Sequence, residues 1–177
     1  MKGKAGEESS SSAFLGMDNY KKLFKSFFYA FCGVFSTIRT ERNMRIHLTC
    51  VVYMFSILAF TDWFTLTKLD WVALVFASVL VIAAELFNTA IENAVDLAAK
   101  GYDEFAKKAK DAASGAVLVC AFGAVAVGLF VLLQKDAFSK MFSYFAANPL
   151  MLALFALSIV PATLFIFFGF GKGADKK

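Results

Sequence analysis

Residues 85–96 (ELFNTAIENAVD) carry the side chains with the clearest capacity for chemistry. On a helix turning about 100° per residue, Glu85, Asn88, Glu92 and Asp96 fall at roughly 0°, −60°, −20° and +20°, one narrow acidic stripe. Ala84, Leu86, Phe87, Ala90, Ile91, Ala94 and Leu97 cover most of the remaining surface. The run before the stripe, 71–84 (WVALVFASVLVIAA), reads as a membrane-spanning helix. Carboxylates in or beside a bilayer are costly, and function is their usual justification. Helix rise separates them by depth. Glu85 sits about 21 Å beyond Trp71, inside a hydrocarbon layer about 30 Å thick, whereas Glu92 sits about 31 Å beyond it, at the far edge. Asp96 lies further out. A membrane lipid with its polar head at this boundary, meeting a water-borne co-substrate, accounts for carboxylates at both depths. The blander alternatives are a solvated helix end for Glu92 and Asp96, and a structural Lys or Arg partner for Glu85.

The elements that must position the stripe are helical. Of 177 residues, 59% are hydrophobic and 22 are Phe, against about 45–50% apolar in ordinary soluble domains. The expected fold is all-α, an integral membrane helical bundle with an N-terminal amphipathic surface helix. Residues 1–17 are polar and Ser-rich and are expected to be disordered. Residues 18–38 place Leu23, Phe24, Phe27, Phe28, Phe31, Val34 and Phe35 at helical spacing with Lys21, Lys22 and Lys25 at one end. That pattern suits the membrane surface or packing on neighbouring helices. Residues 39–47 (RTERNMRIH) read as a charged connector, with Arg45 and His47 anchoring the next span at the interface. Span one covers 48–66, span two starts at Trp71, span three is 115–133 and a fourth span is 149–170, kinked at Pro161. Residues 100–114 read as a charged loop or helical extension and 134–148 as a loop. Gly115, Ala116, Gly123, Ala124, Ala126 and Gly128 would let helices approach span three closely. No cleavable signal is visible. Cys32, Cys50 and Cys120 lack zinc-ligand spacing and read as small packing residues.

Charge placement orients the spans. Fifteen of the 18 Lys and Arg residues fall on the side of the N-terminus, the 100–111 loop and the tail. By the positive-inside rule both termini and the acidic end of span two are cytoplasmic. Lys107 and Lys108 would meet anionic phospholipid headgroups.

The segment 85–96 resembles the ExxN[ST]AIExxVD signature of the prokaryotic diacylglycerol kinase family. AKKAKDAASGAV (106–117) looks like that family's second block, and ERNMRIH (41–47) resembles the connector of members from Gram-positive bacteria, whose lipid is often undecaprenol. The resemblance covers roughly residues 20–133. It implies a small homotrimeric membrane kinase moving the γ-phosphoryl of MgATP onto a lipid hydroxyl. It implies three family-type spans, with the fourth as an addition. The domains are then 1–17, a lipid kinase domain at 18–133, and 134–177 comprising a loop, the fourth span and a cytoplasmic tail. Consistently, the chain has no GxxxxGK[ST] loop and no HRD or DFG sequence. The terminal GKG (171–173) reads as a flexible tail.

Roles follow from the needs of phosphoryl transfer and from the resemblance. Glu85 would be the base acting on the lipid hydroxyl, since a carboxylate removed from water is a stronger proton acceptor. Glu92 can ligate Mg²⁺, and Glu41 is its implied partner. Asn88 would orient a carboxylate or the phosphate, and Ser114 lies near the lipid. Lys110 would neutralise phosphate charge while Asp111 touches the nucleotide. Lys22 and Tyr29 match the family's basic and aromatic residues near ATP, although Lys22 replaces an Arg and loses bidentate contact. The expected cofactor is Mg²⁺ with ATP as co-substrate, and nucleic acid is not an expected partner. The expected location is the bacterial inner membrane. A proton-coupled transporter using Glu85 as a relay, or a lipid-binding scaffold, would leave Glu41, Lys110 and Asp111 without roles. The sequence leaves open undecaprenol against diacylglycerol, a site within one protomer or across two, and Asp96 as salt-bridge partner or reacting group.

Overall fold

The structure is a computed structural model describing residues 4–99 and 101–169, with side-chain surroundings from Tyr20 onward. The expected GKG tail, the rest of 170–177, residues 1–3 and Lys100 lie outside the described residues. Six helices follow in order: α1 Lys4–Thr40, α2 Arg42–Phe60, α3 Lys68–Ala98, α4 Glu104–Leu132, α5 Lys135–Ala147 and α6 Pro149–Phe168. There is no strand among the described residues. Four of them, α2, α3, α4 and α6, are long and apolar enough to cross a membrane. Their outward faces are covered by exposed Val, Leu and Phe, which suits hydrocarbon as the surrounding solvent.

The chain divides into two units, residues 1–36 and 37–177. The first is the bulk of α1, whose exposed Phe24, Phe28 and Phe31 lie at the expected helical spacing. This helix starts at Lys4 rather than near Asp18. Residues 4–40 contain no proline, and Ser costs a helix interior only a few tenths of a kcal/mol relative to good formers.

In the second unit the long antiparallel pair α3 and α4 is the main packing, with α2 against α3 and α6, and α5 against α6. The buried residues of α3 are Leu74, Ser78, Val81, Glu85 and Thr89, a stripe stepping by three or four. Ser78 Oγ donates to the Leu74 carbonyl at 2.8 Å and Thr89 Oγ1 to the Glu85 carbonyl at 3.0 Å. Both hydroxyls are thus satisfied within their own helix. Ala113 and Val117 are the buried residues of α4. Glycines are not what brings the helices together. A Cβ placed at Gly115, Gly123 or Gly128 would meet nothing within 4 Å, so these positions face open space. Cys50 is also exposed and Cys120 half-buried, so Cys50 does not pack inside the chain.

An expected connector and an expected loop are helical. The connector 39–47 consists of the end of α1, one extended residue (Glu41, φ −97°, ψ 119°) and the first turns of α2. Arg45 explains the tight junction. It is buried, and its guanidinium donates to the carbonyls of Ile38 (3.0 Å), Arg39 (2.9 Å) and Ile166 (3.0 Å). These carbonyls end α1 and α6, where no intrahelical donor remains. Arg45 is therefore a helix-end clamp rather than an interfacial anchor. Span one gains its length upstream, and α2 ends at Phe60. Residues 135–147 form α5 because Ala137 is fully buried and Tyr144 and Phe145 close on Trp63, at 5.5 and 5.6 Å between rings. Trp63 thus packs on protein. Trp71 stacks on Phe55 at 6.1 Å, joining α3 to α2. Thr67 and Asp70 form a capping box that starts α3, and Asp103 caps α4.

Candidate active site

Glu85 is 1% exposed, among the most buried side chains of the chain. It occupies the packed stripe of α3 where α2 and α4 both pass. The cavity it faces has a volume of about 450 Å³ and is lined by Asn43 and His47 from α2, Glu85 and Asn88 from α3, and Asp111, Ser114, Gly115, Val117, Leu118 and Ala121 from α4. Its polar residues come from three helices and gather at one end. Val117, Leu118 and Ala121 extend the wall along α4 as an apolar surface.

Two polar atoms at this site have no hydrogen-bond partner although both are buried: Glu85 Oε1 and Asn88 Oδ1. His47 Nε2 approaches Glu85 Oε1 to 3.4 Å, a close contact that lacks the alignment of a hydrogen bond. Asn88 Nδ2 donates to Glu92 Oε1 at 2.9 Å, so one amide links the buried carboxylate's surroundings to the next acid on the stripe. Lys110 Nζ, on α4, pairs with Asp96 Oδ1 of α3. Along α3 burial falls from Glu85 through half-buried Glu92 to exposed Asp96, the gradient that helix rise requires if the stripe leaves the bilayer.

The cavity collects Glu85, Asn88, Asp111 and Ser114 among the residues singled out from the sequence. Glu92 is joined to it through Asn88, and Lys110 is engaged by Asp96. Glu41 is half-buried at the N-cap of α2, and its side chain makes no capping hydrogen bond. Neither Glu41 nor Glu92 lines the cavity. Lys22 and Tyr29 belong to the first unit, where Ser26 Oγ donates to the Lys22 carbonyl at 3.1 Å and the Tyr29 ring meets Phe28 edge-on at 6.0 Å. Lys108 pairs with Glu104 on its own helix at 2.8 Å.

The sequence reading missed Asn43 and His47 as lining residues. Their spacing of four puts both on one face of a helix, but reading 39–47 as a charged connector conceals that face.

The prokaryotic diacylglycerol kinase family matches residues 28–132, from within α1 to the end of α4. This chain belongs to that family. An undecaprenol kinase from Bacillus subtilis is 38% identical over 116 residues, 64% of this chain and 90% of the relative. A diacylglycerol kinase from Synechocystis is 42% identical over 112 residues, 63% of this chain and 62% of that protein. A Helicobacter pylori diacylglycerol kinase is 33% identical over 100 residues, covering 76% of it. The chain is accordingly a membrane lipid kinase, and the transporter reading has no support. The matched region contains every residue of the cavity, while α5 and α6 lie wholly beyond it. The kinase thus keeps its polar site within the family region and adds a helical hairpin to it.

The site's donor set fits a magnesium ion carried in with a nucleotide. Every candidate ligand is an oxygen, and Asn88 Oδ1 is a buried acceptor without a partner. No cluster of three or more metal-binding His, Cys, Asp or Glu is present among the described residues. Mg²⁺ keeps several waters and takes one or two carboxylates together with phosphate oxygens, so it needs no such cluster.

Proposed function

We propose that this kinase transfers the γ-phosphoryl group of MgATP to the hydroxyl of a membrane lipid at the cytoplasmic face of the bacterial inner membrane. The observation that carries the reading is the buried Glu85 carboxylate with an unpaired oxygen, facing a cavity that is polar at one end and apolar along α4. A lipid chain lying along Val117, Leu118 and Ala121 would bring its hydroxyl to Glu85. Undecaprenol is favoured over diacylglycerol by the ERNMRIH and AKKAKDAASGAV blocks. The Bacillus subtilis relative, nearly all of whose length is matched, also carries that name.

Each group has a role that its surroundings support. Glu85 accepts the hydroxyl proton as the oxygen attacks phosphorus. Asn88 holds Glu92 through its amide nitrogen and offers Oδ1 to the lipid hydroxyl or phosphate. Glu92 and Glu41 would hold Mg²⁺, which supplies charge neutralisation on the phosphates. Glu41 is suited to this because its carboxylate does not cap α2. Lys110, held between α3 and α4 by Asp96, supplies positive charge beside the phosphates, and Asp111 contacts the nucleotide. Ser114 hydrogen-bonds the lipid head. Lys22 and Tyr29 contact the nucleotide from the surface helix. Homotrimeric assembly and binding of anionic phospholipids are part of the same reading, with both termini in the cytoplasm.

The test is labelled MgATP with undecaprenol and diacylglycerol side by side in mixed micelles. Label is expected on undecaprenol in preference to diacylglycerol. Preference for diacylglycerol reverses the substrate assignment, and no label on either lipid with folded protein removes the kinase reading.

A further inference from the structure

Phosphorylating a neutral alcohol with ATP releases a proton, which must leave the site in every turnover. Glu85 is badly placed to release it alone. Its side chain is 2% exposed, and the oxygen facing the cavity has no hydrogen-bond partner. A proton received there has no hydrogen-bonded acceptor on the protein. His47 is the neighbouring group that can take it. Its Nε2 lies 3.4 Å from Glu85 Oε1, and its side chain is 24% exposed against 2% for Glu85. It is the single histidine of the chain. Histidine is the side chain suited to accept and release a proton near neutral pH.

Few titratable or charged groups stand beside His47 on the neighbouring helices. From α3 the titratable group facing it is Glu85 itself. From α4, the exposed Asp111 lines the same cavity. Over Pro149–Phe168, α6 has no ionisable side chain. On α2, Arg45 spends its guanidinium on the Ile38, Arg39 and Ile166 carbonyls, and Arg42 is exposed.

We infer that His47 is a proton-relay residue that acts through Glu85, carrying the lipid hydroxyl proton from the buried carboxylate to water. This rests on Glu85 being the base. In the transfer step the lipid oxygen bonds to the γ-phosphorus, the bond from the γ-phosphorus to the bridging β,γ-oxygen breaks, and ADP departs with that oxygen. The hydroxyl proton goes to Glu85. The proton then passes from Glu85 Oε1 to His47 Nε2. The resulting imidazolium releases a proton to water, so both groups return to their starting charge.

The relay must be distinguished from a merely structural contact. Turnover is measured against pH for the full-length chain, His47→Gln, His47→Ala and Glu85→Gln, in mixed micelles containing both candidate lipids. Wild-type kcat is expected to fall as the pH is lowered. His47→Gln should lose that limb and lower kcat by about tenfold or more, at the low end of general acid–base effects, with the KM for ATP unchanged. Imidazole added to His47→Ala should restore turnover in proportion to its unprotonated form, and should do nothing for Glu85→Gln. A His47→Gln variant with wild-type kcat and pH profile overturns the relay while leaving the base assignment standing. So does inserted His47→Ala that is slow yet indifferent to imidazole. If His47→Ala does not insert, the pH limb of His47→Gln decides alone. Wild-type turnover in Glu85→Gln instead overturns the base on which the relay depends.

Discussion

Burial falls along the stripe from Glu85 to Asp96, and with the proposed roles substitutions along it should divide the kinetics in the same way. Glu85→Gln keeps the size and polarity of the side chain but cannot accept a proton. It should lower kcat by about 10²–10⁴-fold, the usual range for removing a general base, with ATP affinity unchanged in equilibrium binding. Asn88→Ala removes the amide that holds Glu92 Oε1. It should raise the Mg²⁺ concentration for half-maximal activity by about 10–100-fold, the effect expected when a ligand loses its support. A larger effect on kcat than on Mg²⁺ dependence would show that Asn88 serves the lipid instead. The face and the burial gradient of the stripe were legible in the sequence, because four polar residues at helical spacing inside an apolar run specify both. Asp96 was not. Both an ion pair and a reacting role suited its position, and only the packing of α4 brings Lys110 to it. His47 was hidden for a different reason, since its meaning depends on contact with a residue 38 positions later.

Helix ends, more than helix interiors, decide how the cavity is held together. Arg45 satisfies carbonyls at the ends of both α1 and α6, and it stands two residues from both Asn43 and His47 in the cavity wall. Arg45→Met fills similar volume without a donor and strands these buried acceptors. It should destabilise the protein by about 2–4 kcal/mol, given that hydrogen bonds from a charged donor contribute roughly 1.5–3 kcal/mol each and are not additive. Thermal unfolding in micelles measures this, and an unchanged midpoint would mean that water replaces the guanidinium. Arg45→Lys should recover only part of the loss, because an ammonium lacks the planar fork that reaches several carbonyls. Periodicity revealed the four spans, but it did not reveal that 39–47 and 135–147 are helical. In the first segment a buried Arg closes the junction, and in the second a Trp63–Tyr144–Phe145 cluster supplies the apolar contact. Both causes are tertiary, and local propensity does not contain them.

Among the described residues, the helix that joins the cavity to the added hairpin is α2. Among the described residues α6 packs against α2 and α5, whereas Glu85, Asn88, Asp111 and Ser114 lie on α3 and α4. No cavity-lining residue lies beyond Ala121. The added hairpin reaches the site's supports through hydrogen bonds as well as a ring contact between Tyr53 and Phe155. Ile166 accepts from Arg45, and Ser158 shares a 2.9 Å hydrogen bond with Tyr53, midway along α2. Truncation after Gln134 removes these contacts and exposes the face of α2 to lipid, which can solvate its apolar side chains but not the Arg45 guanidinium. Arg45 would still have the Ile38 and Arg39 carbonyls, which precede the cut. The truncated chain should therefore phosphorylate lipid at a measurable rate, with a lower unfolding midpoint than the full chain and unchanged Mg²⁺ dependence. Complete loss of phosphorylation in a correctly inserted, truncated protein would mean that α6 holds α2 in the position where His47 can meet Glu85. In that case the hairpin would be part of the catalytic frame, and Arg45→Met in the full chain should abolish turnover as well. If truncation silences the enzyme but Arg45→Met does not, the coupling runs instead through the Tyr53–Ser158 contact, and Ser158→Ala is then the variant expected to lower kcat.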